Sequence, residues 1–334
     1  DLFSNGSVQF GIGMPFSIFL GLLFGILRYF FEPIFVARLL MLLTTVLLIY
    51  FIYSLGVKMT GKVLGFLAGL IAIFEPYSLS FSIVPHSDVF AIAMGLPAIY
   101  FATSSQRSRQ IWSAIFFYIA VLTKPELFLV CVIPILLFYF YRVMKMRSIK
   151  ASIPLILGIV VYILPALWLY VVARSLTRFD IIQKFGLFLT PELLQNTLDL
   201  TFRFYDDPFL NQAIFVLFCL GISFALLNIF AQFLSLQRKG KIFSIGYRKE
   251  KRISDVFLSD GAVVAFCILL VFVISIIVVT AYGYGYVIVE GKLIITKALS
   301  QRYLILPRLL LSYPLAYTLF VVVRKVYAEF AHKK

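Results

Sequence analysis

Seven runs of apolar residues, at 33–53, 63–83, 86–103, 152–173, 211–236, 260–283 and 303–324, interrupt this chain at close intervals. Each is long enough to cross the hydrocarbon of a bilayer, which takes roughly 17 to 25 residues of helix. Two shorter runs lie at 110–123 and 126–142. In lipid every backbone polar group must find its partner within the chain, and consecutive apolar runs can do this only as helices. The expected fold class is therefore an all-α polytopic membrane protein of about nine transmembrane helices. Composition excludes the soluble alternative: 62% of residues are hydrophobic and 13% charged, with mean hydropathy +1.01, whereas a soluble domain is about a quarter charged. The earlier apolar stretch 14–31 carries Pro15 and Arg28 after a Gly/Ser/Asn segment. It reads as a juxtamembrane helix in the interface rather than a span. Residues 1–32 thus form an extracytoplasmic segment and 33–334 a transmembrane helical domain.

A net charge of +15 in a soluble protein would suggest nucleic acid. Here the placement of the charges decides otherwise. Alternating the loops about the nine runs puts 19 of the 30 Lys and Arg residues on one side, among them Lys58, Arg109, Arg142 and the 238–252 cluster, with four acidic residues. The other side holds 11 basic and 11 acidic residues. Basic loops stay in the cytoplasm, so the balanced side is extracytoplasmic, and no nucleic-acid partner is implied.

Cys131, Cys219 and Cys267 fall inside apolar runs, where each acts as a small hydrophobe. No phosphate-cradling Gly-rich loop or Cys/His metal spacing is present; the alternating glycines of 281–287 end a run and open no helix. The sequon Asn5-Gly6-Ser7 lies on the outer side. Three outer loops, 75–88, 174–210 and 284–302, are long enough to carry function, and Thr190-Pro191-Glu192 signals an amphipathic helix in the second.

Charged side chains at membrane depth cost about 2.5 to 3.5 kcal/mol each on insertion scales, so a group of them at one depth needs partners or a watery cavity. Glu75 ends one run, Asp88 starts the next beside His86, Lys124 and Glu126 form the turn between the two short runs, and Arg302 with Tyr303 opens the last. Runs of 14 and 17 residues rise only about 21 and 26 Å, less than a ~30 Å core. The Lys124 turn, broken by Pro125, is therefore expected below the outer surface, where irregular backbone needs a cavity around it. The bland alternative is that Glu75 with Arg38, or Lys124 with Glu126, pair only to close the bundle. His86 reads equally well as a helix-start residue.

The chemistry that suits such a cavity is transfer at a membrane-bound phosphate. Lys124 and Arg302 would hold a phosphate, and a carboxylate would take the proton of an incoming hydroxyl. Asp88 and His86 could contribute to a divalent cation site, although two ligands are a weak set.

The order of several short segments resembles the membrane glycosyltransferases of the GT-C superfamily, in particular the protein O-mannosyltransferase and aminoarabinose-transferase branch. They are MPFSIFLGLLFGI, FVARLL, GKVLGFLAGLIAIFEPYSLSFSIVPHSD, WSAIFFYIAVLTKPEL and QRYLILPRLLL. The resemblance implies a GT-C fold and a polyprenyl-phosphate or dolichyl-phosphate sugar donor used outside the cytoplasm with inversion. The acceptor would be a protein, lipid or glycan. By position it makes Asp88 a catalytic acidic residue and Lys124, Arg302 and Tyr303 donor-phosphate residues, with Arg38, Glu75, His86 and Glu126 in support. Family members carry an Asp or Asp-Glu pair in a first outer loop that has no counterpart after Asp1. The resemblance therefore implies an N-terminally truncated member, in a prokaryotic plasma membrane sooner than the endoplasmic reticulum. Two other readings stay open: a transporter or lipid flippase using the same charges as a path, and a non-catalytic subunit of a glycan assembly complex.

Overall fold

A computed structural model describes residues 14–27, 29–76, 80, 86–104, 106–124, 126–145, 158–164, 189–238, 260–282, 284–289, 292–299 and 304–332. The chain is a helical membrane protein. Among the described residues four helices are long and apolar enough to cross a bilayer, Pro33–Thr60, Pro208–Leu227, Asp260–Ala281 and Ile305–Lys325. In chain order the elements are α1 (Met14–Leu27), α2 (Pro33–Thr60), α3 (Lys62–Ile73), α4 (Ser87–Ala102), α5 (Arg107–Thr123), α6 (Leu127–Lys145), α7 (Pro191–Phe202), α8 (Pro208–Arg238) and α9 (Asp260–Tyr282). A hairpin of β1 (Tyr284–Val289) and β2 (Lys292–Leu299) follows, then α10 (Ile305–Leu310) and α11 (Ser312–His332). The 238–252 cluster beyond Arg238, the sequon at Asn5, Arg28, Pro125, Arg302 and Tyr303 lie outside the described residues, as does most of the 152–173 run.

The core is built around α4, which has no polar face. Val89, Phe90, Ala91, Ala93, Leu96 and Ala98 are all buried, so neighbours surround the helix on every side. Ser113 on α5 donates to the Ala98 carbonyl at 2.6 Å, and the Phe51 ring of α2 meets Tyr100 edge-on at 5.3 Å. Asp88 is thereby fixed at the first turn of the most enclosed helix.

Turns between α2 and α3 and the seam between α8 and α11 need glycine. Gly61 joins α2 to α3 at φ 122°, a conformation that a side chain would strain. Gly221 of α8 lies so close to α11 that a Cβ would meet the Pro314 carbonyl oxygen at 2.0 Å. Gly221→Val forces the two helices apart and lowers stability by roughly 1–3 kcal/mol, the usual cost of overpacking. A thermal midpoint equal to wild type in detergent would contradict that seam.

Three local features add to this reading. The helix α1 carries Ser17 as its lone polar residue and exposes Ile18, Phe19, Leu22 and Ile26. Its Phe16 and Phe19 rings pack on Phe90, each at 5.5 Å between centroids, beside the Asp88 end of α4. The run 63–83 is helical in α3 only to Ile73; twelve residues rise about 18 Å. Glu75 is therefore left at depth. Finally, the expected outer loop 284–302 contains an antiparallel hairpin, with Val289 opposite Lys292.

Candidate functional site

Asp88 owes its position to a helix start. His86 is the N-cap residue of α4, and a carboxylate in the first turn faces the positive end of the helix dipole. Its Oδ2 lies 2.7 Å from His86 Nδ1, which places the imidazole proton on Nδ1 as donor. The 3.3 Å approach of the Asp88 amide to the same nitrogen is then a contact of two donors rather than a hydrogen bond. Lys124 reaches across from another helix end. It is the C-cap of α5, in an extended conformation that ends the helix, and its Nζ pairs with Asp88 Oδ1.

Burial makes this pair tight: side-chain exposure is 15% for Lys124 and 7% for Asp88. The two line the mouth of an open crevice of ≈ 420 Å³ with Glu126. Apart from Ser275 its walls are apolar, including Ile92 of α4, Val130 of α6, Val278 of α9 and Leu306 of α10. A second, smaller hollow shares Ile92, Leu127, Val130 and Leu306 and continues toward Gly95 and Ile99. Charged side chains and apolar walls thus meet in one crevice.

Helix length bears on the depth expected for Lys124. Helices α5 and α6 have 17 and 19 residues, so their rises of about 26 and 29 Å nearly match a ~30 Å core.

Glu75 belongs to a different cluster. Its partner is Arg308 of α10, with Nη1 3.9 Å from Oε1 and side-chain exposures of 1% and 3% for Arg308 and Glu75. Arg38, offered by the sequence as the partner of Glu75, is instead exposed on α2. Arg308 Nη2 also donates to the Leu200 carbonyl at 2.5 Å and to the Arg203 carbonyl at 2.7 Å, and its guanidinium lies over the Phe204 ring. These carbonyls close the C-terminal end of α7, where a cation is favoured. The same helix is held by Tyr284, whose hydroxyl accepts from Asn196 Nδ2 at 2.9 Å and donates to the Leu193 carbonyl at 3.2 Å. Leu193 packs with Val279, a wall residue of the crevice. Two polar clamps therefore set α7 against that wall.

Sequence reading assigned no role to Arg308, although an arginine inside LILPRLLL is a charge at membrane depth and demands a partner. The structure brings Asp88, His86, Lys124 and Glu126 together, pairs Glu75 with Arg308 and leaves Arg38 exposed on α2. Among the described residues no three His, Cys, Asp or Glu side chains gather into a metal-binding group. No family model matches this chain, and no curated protein and no solved structure is found to be similar to it.

Proposed function

We propose that the crevice binds a polyprenyl- or dolichyl-phosphate sugar and transfers the sugar to a hydroxyl on the extracytoplasmic side, as a GT-C glycosyltransferase of about nine spans would. The observation that carries this reading is the lysine and carboxylate pair in a crevice whose other lining residues, Glu126 and Ser275 apart, are apolar. A lipid carrier has the matching pattern, an anionic phosphate joining a polar sugar to a hydrocarbon chain.

In this reading Lys124 divides its donors between Asp88 and a phosphate oxygen. The acceptor oxygen attacks the anomeric carbon from the face opposite the phosphate, and the bond from that carbon to the phosphate oxygen breaks. The electron pair leaves with the lipid phosphate, whose growing charge Lys124 stabilises. The hydroxyl proton passes to a carboxylate. Asp88 is the candidate base, with His86 Nδ1 holding its second oxygen and so fixing the one that faces the acceptor. Glu126 is the other carboxylate at the mouth.

Asp88→Asn keeps the shape of the side chain and removes its basicity. In the complete protein, supplied with radiolabelled polyprenyl-phosphate hexose and acceptor, transfer is expected to fall by about 10²- to 10⁴-fold, the usual yield of a positioned base. Unchanged transfer at equal expression would remove Asp88 from the chemistry.

A further inference from the structure

At the end of the bundle opposite Asp88, two cations from two helices converge on the last turn of α4, and a third on α5 acts on one of them. Lys58 of α2 donates to the Tyr100 carbonyl at 2.9 Å and to Thr103 Oγ1, and its ammonium sits 3.6 Å from the centre of the Tyr100 ring. Arg142 of α6 donates from Nη2 to the Thr103 carbonyl at 2.5 Å and from Nη1 to the Ser104 carbonyl, with its guanidinium over Phe138. Arg109 of α5 is exposed, and its charge and that of Arg142 both act on Lys58. The carboxylate that reaches this group is Asp260 at the start of α9, acting on Arg142.

Loop anchoring alone asks for cations dispersed among headgroups. Here they are drawn together, and the sum does not balance. Among the described residues three positive charges face one carboxylate and the C-terminal end of a helix, which carries only about half a negative charge. Donors also remain. An ammonium has three and a guanidinium five, of which Lys58 and Arg142 each direct two at the end of α4. We propose that this cluster is a binding site for the phosphate of an anionic phospholipid in the adjacent leaflet. The headgroup bridges Arg109, Lys58 and Arg142 and ties α5, α2 and α6 to the end of α4. The leaflet supplies such phosphates at high local concentration, and each cation near a charged membrane surface adds to the attraction. The inference is independent of any transfer chemistry at the other end.

The test is thermal unfolding of the purified full chain in mixed micelles of detergent with phosphatidylglycerol, with phosphatidylcholine, or with inorganic phosphate and no added lipid. Phosphatidylglycerol is expected to raise the unfolding midpoint, and phosphatidylcholine and inorganic phosphate to leave it near the detergent value. Arg109→Gln, which touches none of the α4 carbonyls, should keep the midpoint seen in phosphatidylcholine and need about fivefold more phosphatidylglycerol for half of the shift, the effect of one cation near a membrane surface. Arg324→Gln, exposed on α11, should respond as wild type does. Equal phosphatidylglycerol response in wild type and Arg109→Gln would overturn the proposal, as would equal shifts in the two lipids. A full shift with inorganic phosphate would overturn the lipid as its ligand.

Discussion

Arg308→Ala is expected to destabilise the protein by about 3–5 kcal/mol, the cost of breaking a buried ion pair by removing one partner. The side chain is 1% exposed and serves two elements at once, Glu75 beyond α3 and the closing carbonyls of α7. Its removal takes the buried cation from Glu75 and the donor from Leu200 and Arg203. Glu75→Gln should cost less, because Arg308 keeps both carbonyls. The double variant should be more stable than Arg308→Ala alone, since no carboxylate is then left facing an emptied site; coupling of roughly 0.5–3 kcal/mol is usual for such neighbours. Denaturant unfolding of the four proteins in detergent measures the cycle. Additive losses would show that the two charges do not act as a pair.

The second large effect is on activity. Lys124→Ala should lower sugar transfer about 10²- to 10³-fold, the usual loss on removing one donor from a developing anion. The fold should survive, because Asp88 keeps His86 at 2.7 Å and its place at the positive end of α4. Lys124→Arg should recover part of the loss, since a guanidinium can hold the phosphate from a different distance. A scaffold role for this chain predicts the opposite pattern, with activity unchanged in all three proteins.

Much of the fold was legible because hydropathy reports it directly: the apolar runs at 33–53, 86–103, 211–236, 260–283 and 303–324 all contain helices. The charges Asp88 and Lys124 were legible for the same reason. An ion within an apolar context is costly enough to mark itself. Arg308 follows the same rule yet was passed over, as it stands six residues inside the run that Arg302 was taken to open. Which carboxylate it would meet depends on α3 stopping at Ile73, and hydropathy continues past that residue. The hairpin was hidden differently. YGYVIV and KLIITKAL are rich in β-branched and aromatic residues and stand two residues apart, the spacing of a tight hairpin. Reading for spans alone absorbed it into a loop.

The central claim is that Lys124 and Asp88 form the phosphate end of a lipid-carrier site. Equilibrium binding of polyprenyl phosphate and of the uncharged polyprenol, measured on the complete protein and on Lys124→Ala, tests it without requiring turnover. The phosphate should bind at least about tenfold more tightly than the alcohol in wild type, as expected of a charged hydrogen bond worth roughly 1.5–3 kcal/mol, and the difference should vanish in Lys124→Ala. Equal binding of the two lipids to wild type, or a preference for phosphate that persists without Lys124, would contradict the account.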